Sequence, residues 1–168
     1  MAQAPAGPPG ALEDLRRRLA GTNVNPQTFL ATDYLNHFNE IAMILDILAD
    51  CPDCFEDARG WQPKSYAQHF ADSTLSDREL AIEAYAHAPL KFRRPFDRIV
   101  EHMDHLVLFA LRRLEAPIAS QDAAAIHRIA AAIAKRMQEL VAMASAVIHG
   151  NVATSGQEDV DALMRKRS

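Results

Sequence analysis

The stretch TDYLNHFNE places an acid, an amide, an imidazole and a second acid at Asp33, Asn36, His37 and Glu40. Positions three and four apart share a face of a helix, so these side chains are expected to form one compact polar patch. Asp33 can hold a cationic partner group there, and Asn36 can position a water molecule. The competing reading is a solvated helix face in which Asp33 supports His37 at i and i+4. A second concentration of such groups is EHMDH, with Glu101 and His105 at i and i+4 plus His102, and His37 with Glu40 could face it across a bundle. The Glu-x-x-His motif of bundle carboxylate sites does not occur in the chain. The seven histidines are therefore read as surface or hydrogen-bonded core residues, with no metal and no cofactor assigned.

The two cysteines, Cys51 and Cys54, stand in CPDC. A redox pair is usually activated at a helix N-terminus, whereas this pair follows a predicted helix. A structural zinc needs four ligands and would have to recruit His69 or His87. The pair reads as incidental helix-end cysteines.

Elements able to position these groups must be built from 168 residues, 49% of them hydrophobic, which is enough for one domain with a real core. A net charge of -4 and a pI near 5.9 exclude a phosphate-backbone binder, since basic and acidic residues interleave, so no nucleic-acid partner is expected. Purely apolar runs are only a few residues long, which excludes a membrane span or a secretory segment and makes a cytoplasmic location the expectation. The opening MAQAPAGPPG reads as a disordered leader, residues 1–10, ahead of a helical domain at 11–150 and a linker with a terminal helix at 151–168.

Period-two alternation is absent and apolar residues recur at three and four, so the fold class is all-α. A short amphipathic piece carries Leu12, Leu15 and Leu19. After GTNVNP, Asn25 can cap and Pro26 can open a long first helix with the stripe Leu30, Tyr34, Phe38, Ile41, Leu45 and Leu48, ended by Pro52. Trp61 is expected across the bundle end, a short helix after Ser65, and a capping box at Ser76 and Glu79 opening a helix to about His87. Pro95 is then expected to open a longer helix striped by Phe96, Ile99, Met103, Val107 and Leu114, closed by Pro117. The last helix should open near Ser120, bury Ile126, Ile133, Met137 and Leu140, and end at a left-handed Gly150. Short connections make the last two helices antiparallel and predict a four-helix bundle, or a long hairpin that pairs with a second copy as a homodimer.

Beyond Gly150, NVATSG is too small and polar to pack, and Ser155 with Glu158 forms a second capping box. Val160, Leu163 and Met164 then share one apolar face. A helix this short is marginal alone and should fold on binding, with an affinity on the order of micromolar. QEDVDALM, Gln157 to Met164, resembles the segment with which the flagellar switch protein FliM begins, and segments that end the chemotaxis phosphatase CheZ. Where those segments carry Ser before the Gln, this chain has Gly156. The resemblance implies a helix that docks on a phosphorylated CheY-like response regulator, with Val160, Leu163 and Met164 inserted and Gln157 and Asp161 as polar contacts. The competing reading is a helix that folds back on its own domain or pairs with another copy.

Hydrolysis of a receiver's aspartyl phosphate needs an amide to orient water and an acid to hold the receiver's lysine, with magnesium supplied on the receiver. CheZ uses an acid followed four residues later by a Gln, an order and spacing missing here. The CheC and CheX phosphatases use an acid followed three residues later by Asn, which Asp33 and Asn36 resemble, although the rest of that pattern is absent. The third class is a histidine phosphotransfer domain, for which His127 in AAAIHRIAAAIAKR is the best-placed residue, without that family's His-x-Leu-Lys-Gly pattern. Arg93, Arg94 and Arg98 could meet an acidic receiver pocket or simply be solvated. Taken together, these expectations describe a motility-signalling protein that binds a CheY-like receiver through its tail, with dephosphorylation of that receiver left open, against a non-catalytic scaffold and a metal-binding bundle.

Overall fold

Apolar residues recurring every three or four positions become helices throughout residues 9–152, the part of the chain that the computed structural model describes. The helices are α1 (Pro9–Leu19), α2 (Asn36–Ile47), α3 (Phe55–Arg59), α4 (Tyr66–Asp72), α5 (Arg78–Ala86), α6 (Leu90–Ala119) and α7 (Ala123–Ile148), with short 3-10 turns at Thr32–Leu35 and Pro52–Cys54. Among the described residues the nearest thing to a strand is one isolated antiparallel bridge, Val24 to Ala31. No helix among them is long and apolar enough to cross a membrane.

The long α6 and α7 form a hairpin, α2 lies against α7, and α4 pairs with α5. Buried Phe96, Met103, Val107 and Leu114 of α6 and Ile126, Met137, Leu140 and Val147 of α7 supply the centre of the core, closed by Phe38, Ile41 and Leu45 of α2. The hairpin turns at Gln121, whose φ is 54°, and the Asp122 carboxylate accepts the Ala125 amide at 3.0 Å to start α7. Gly150 ends α7 at φ 86°, a left-handed backbone that favours glycine; a Cβ there would come within 2.8 Å of the end of the Gln27 side chain, which is free to shift, so the backbone sets the requirement.

Several boundaries differ from the sequence expectation. The helix expected from Pro26 does not start there. The Asn25 carboxamide oxygen accepts the Gln27 and Thr28 amides at 2.8 and 3.1 Å, as a cap would, but the turn breaks at Phe29, whose φ is 61°. Phe29, Leu30 and Ala31 are all buried in succession, and one helix face cannot bury three consecutive residues. Thr28, fully buried, donates its hydroxyl to the Ile148 carbonyl at 2.6 Å, so this loop also satisfies the end of α7.

The capping box expected at Ser76 and Glu79 does not form: α5 starts at Arg78 behind Asp77, with no side-chain cap. The box that does form is Ser65 with Gln68, opening α4, the short helix expected after Ser65. Pro95 and Pro117 lie inside α6 and do not bound it; Pro89 precedes its first residue, and the helix runs on to Ala119. Pro95 costs the helix one backbone bond, about 3 kcal/mol in a helix interior, and burial of Phe92 one turn upstream offsets about 1.5–3 kcal/mol of that. Cys51 and Cys54 are not incidental either, because they are joined as a disulfide across the turn that follows α2.

Candidate functional site

The polar patch expected around Asp33 divides. Asp33 sits half-buried in the 3-10 turn and Asn36 is exposed at the start of α2, while His37 turns inward and is buried. Its ring stacks on Trp61 with centroids 4.8 Å apart and lies 6.2 Å from the His69 ring. The Trp61 indole donates to the His37 carbonyl at 3.3 Å, so Trp61 is the cover of this imidazole rather than a general plug. Burial lowers the His37 pKa, helped by the neighbouring His69, and burial lowers that of His69 as well. Both rings are therefore neutral at neutral pH, and the His37 Nε2 has no hydrogen-bond partner. The Asp33–His37 support expected at i and i+4 is replaced by a hydrogen bond between the His69 ring and the Asp33 backbone. His37 does not face EHMDH: Glu101 and His105 are exposed, and His102 bonds the Arg98 carbonyl of its own helix at 3.1 Å. Among the described residues, no three His, Cys, Asp or Glu side chains come together as a metal site.

Behind Tyr34 lies a second place where polar groups are drawn inward. Tyr34 is fully buried, 5.4 Å from the His69 ring on one side and 5.3 Å from the Tyr66 ring on another, and its hydroxyl donates to the Lys64 carbonyl at 2.6 Å. From Tyr34 a cavity of about 400 Å³ opens between the Pro63–Ser65 segment, α4, α5 and one face of α6. Aromatic walls come from Tyr34, Tyr66, Tyr85 and Phe96, with Tyr66 and Tyr85 stacked at 4.4 Å. Three acids of α6, Asp97, Glu101 and Asp104, line the same space. Their spacing of four and three residues puts them on one helix face.

These acids differ in environment. Asp97 accepts the Tyr85 hydroxyl at 2.6 Å and stands 3.6 Å from the Arg93 guanidinium, which lies over the Tyr85 ring. Burial raises its pKa, opposed by the Tyr85 hydrogen bond, and the Tyr85 phenol is pushed up to about 12, chiefly by its own burial. Asp104 has no hydrogen bond of this kind: its Oδ1 is buried without a partner, and burial, opposed only in part by His105, pushes the carboxyl up to about 6. Arg93 is thus engaged with Tyr85 and Asp97 rather than presented to an acidic partner, whereas Arg94 and Arg98 are exposed.

In the sequence Glu101 stands among histidines, whereas in the fold its companions are Asp97 and Asp104. The 97, 101, 104 spacing is a signal, but Tyr66 and Tyr34, which help to close the cavity, stand 31 and 63 residues before Asp97 in the chain. His127 is exposed on α7, and among the expected site residues the structure brings only Asp33 and Asn36 near each other at the surface. Gln157, Val160, Asp161, Leu163 and Met164 lie outside the described residues. No family model, curated protein or solved structure matches the chain.

Proposed function

We propose that this chain is a signalling adaptor that docks on a phosphorylated CheY-like response regulator in the cytoplasm through Gln157, Val160, Asp161, Leu163 and Met164, with the helical domain as its carrier. The observation that carries this reading is the eight-residue QEDVDALM match, in which apolar and acidic positions recur as an amphipathic helix would need them. Its place supports the reading too, because the segment follows Gly150, where α7 has ended, and a small polar linker. We read the carrier as a bundle of α2, α6, α7 and the α4–α5 pair.

Asp33 and Asn36 are the pair on which dephosphorylation of the receiver would rest, Asn36 being exposed and Asp33 half-buried one turn away. The exposed face of α2 continues from Asn36 through Glu40 to Met43 and Ile47, which are 69% and 48% exposed and give a partner an apolar foothold beside the amide. The test is binding of a labelled peptide, residues 154–168, to CheY-like receivers with and without beryllofluoride. Saturable binding on the order of micromolar that strengthens on activation is expected. Absence of binding to every receiver, or a dimer that buries the tail, would leave a self-associating scaffold instead. If binding holds, phosphate release by the full chain is the next measurement, and Asn36→Ala should abolish it; unchanged release removes Asn36 from the chemistry.

A further inference from the structure

We propose that the cavity between α4, α5 and α6 binds a small aliphatic ammonium compound, held by Asp104 and Glu101 within aromatic walls. This site is independent of the tail and of any receiver. Its volume of about 400 Å³ falls within the range of small-molecule pockets, roughly 300–1,000 Å³. Its charge is only partly compensated. Asp97 is answered by the Tyr85 hydroxyl and Arg93, and the ammonium of Lys64, the one cationic side chain lining the cavity among the described residues, lies 2.9 Å from Asp72. Asp104 therefore keeps a buried oxygen with no partner, three residues from Glu101 on the same helix face. A half-buried carboxylate without an ion pair is costly, and a ligand that brings N–H donors to the cavity face of Asp104 reduces that cost.

The walls select among cations. The Tyr34, Tyr66 and Tyr85 hydroxyls are engaged with the Lys64 carbonyl, the Ala31 amide and Asp97, so beyond the acids the walls offer mainly rings, whereas a calcium ion takes six to eight oxygens. An organic ammonium needs only a few acceptors, and its hydrocarbon stem is at home against aromatic rings, which also attract its charge. Two carboxylates on one side favour a dication over a single charge, so a short diamine is the best-matched form.

Isothermal titration of the full chain with 1,5-diaminopentane tests this, with 1,5-pentanediol as the uncharged isostere and calcium chloride as the metal control. Saturable binding of the diamine is expected below about 1 mM, with none for the diol or for calcium. Asp104→Asn keeps the side-chain shape and removes only an unpartnered charge, so it should fold as the parent does and bind the diamine at least about tenfold more weakly. Glu101→Gln, at an exposed position, should weaken binding by a smaller factor. No saturation with the diamine, equal binding of the diol, preference for calcium, or undiminished binding by a folded Asp104→Asn variant would each overturn the proposal.

Discussion

Two buried atoms on either side of Tyr34 make a natural comparison: the His37 Nε2 under Trp61, and the Asp104 Oδ1 behind the cavity, both without a hydrogen-bond partner. Burial acts on both in the same physical sense, against the charged form, yet with opposite results for the titration, lowering the histidine and raising the aspartate to about 6. Imidazole escapes the difficulty, because at neutral pH it has shed its charge and stacks on an indole as a neutral ring. The carboxyl at about 6 does not, and remains mostly ionised at pH 7. The difference teaches where a ligand would matter. The histidine side is a finished piece of core, and the aspartate side is a cavity with a charge still to be answered.

The largest expected effect comes from breaking the wall the two sides share. Tyr34→Ala should cost about 3–5 kcal/mol by the usual penalty for deleting a buried aromatic ring, seen as a lower urea midpoint. It should disturb the Trp61 emission and the diamine site together; a variant that altered only one would show that the two sides are independent.

Next in size is the Cys51–Cys54 disulfide, which closes a loop of sequence separation 3 between α2 and the segment carrying Trp61. Chain entropy for so short a loop gives at most about 2 kcal/mol on reduction. Denaturation followed through Trp61 with and without dithiothreitol measures it, and the cavity on the far side should bind diamine as before.

The smallest effects are the pH slopes, which have opposite signs. With a folded pKa near 6 against an ordinary 3.8, Asp104 binds a proton in the folded state that the unfolded chain has released, so its contribution to stability falls as pH rises from about 4 to 6. Asp104→Asn should therefore gain on the parent above pH 6 and match it near pH 4. His37, with its pKa lowered from 6.5, contributes fully above that value and less as pH falls below it. His37→Gln should lose that acid-side slope. Denaturant midpoints measured at intervals from pH 4 to 8 separate the two, and parallel curves for parent and variants would mean that neither group is as buried as the geometry requires.

Much of the helical body was legible. Leu45 and Phe38 of α2, Met103 and Val107 of α6, and Met137 and Leu140 of α7 are buried as their spacing demanded, and Gly150 takes the left-handed cap. Misread boundaries share a cause: Pro95, Pro117, Pro26 and the Ser76–Glu79 pair are local signals that tertiary burial overrode, most clearly where Phe92 and Phe96 carry α6 across Pro95. The periodicity of α2 places His37 on a solvated patch, and it alone does not reveal that a distant Trp61 covers one more position of that face.

By itself, then, the sequence determined the helical class, the faces of the long helices that go inward and the amphipathic pattern of the final segment, because these depend on neighbours three and four residues apart. Only tertiary structure decided that Asp97, Glu101 and Asp104 would meet Tyr34, Tyr66 and Tyr85, and that one imidazole would be stacked away from solvent. Burial is set by segments far apart in the chain, and burial is what turns an ordinary carboxylate or histidine into one with a shifted charge.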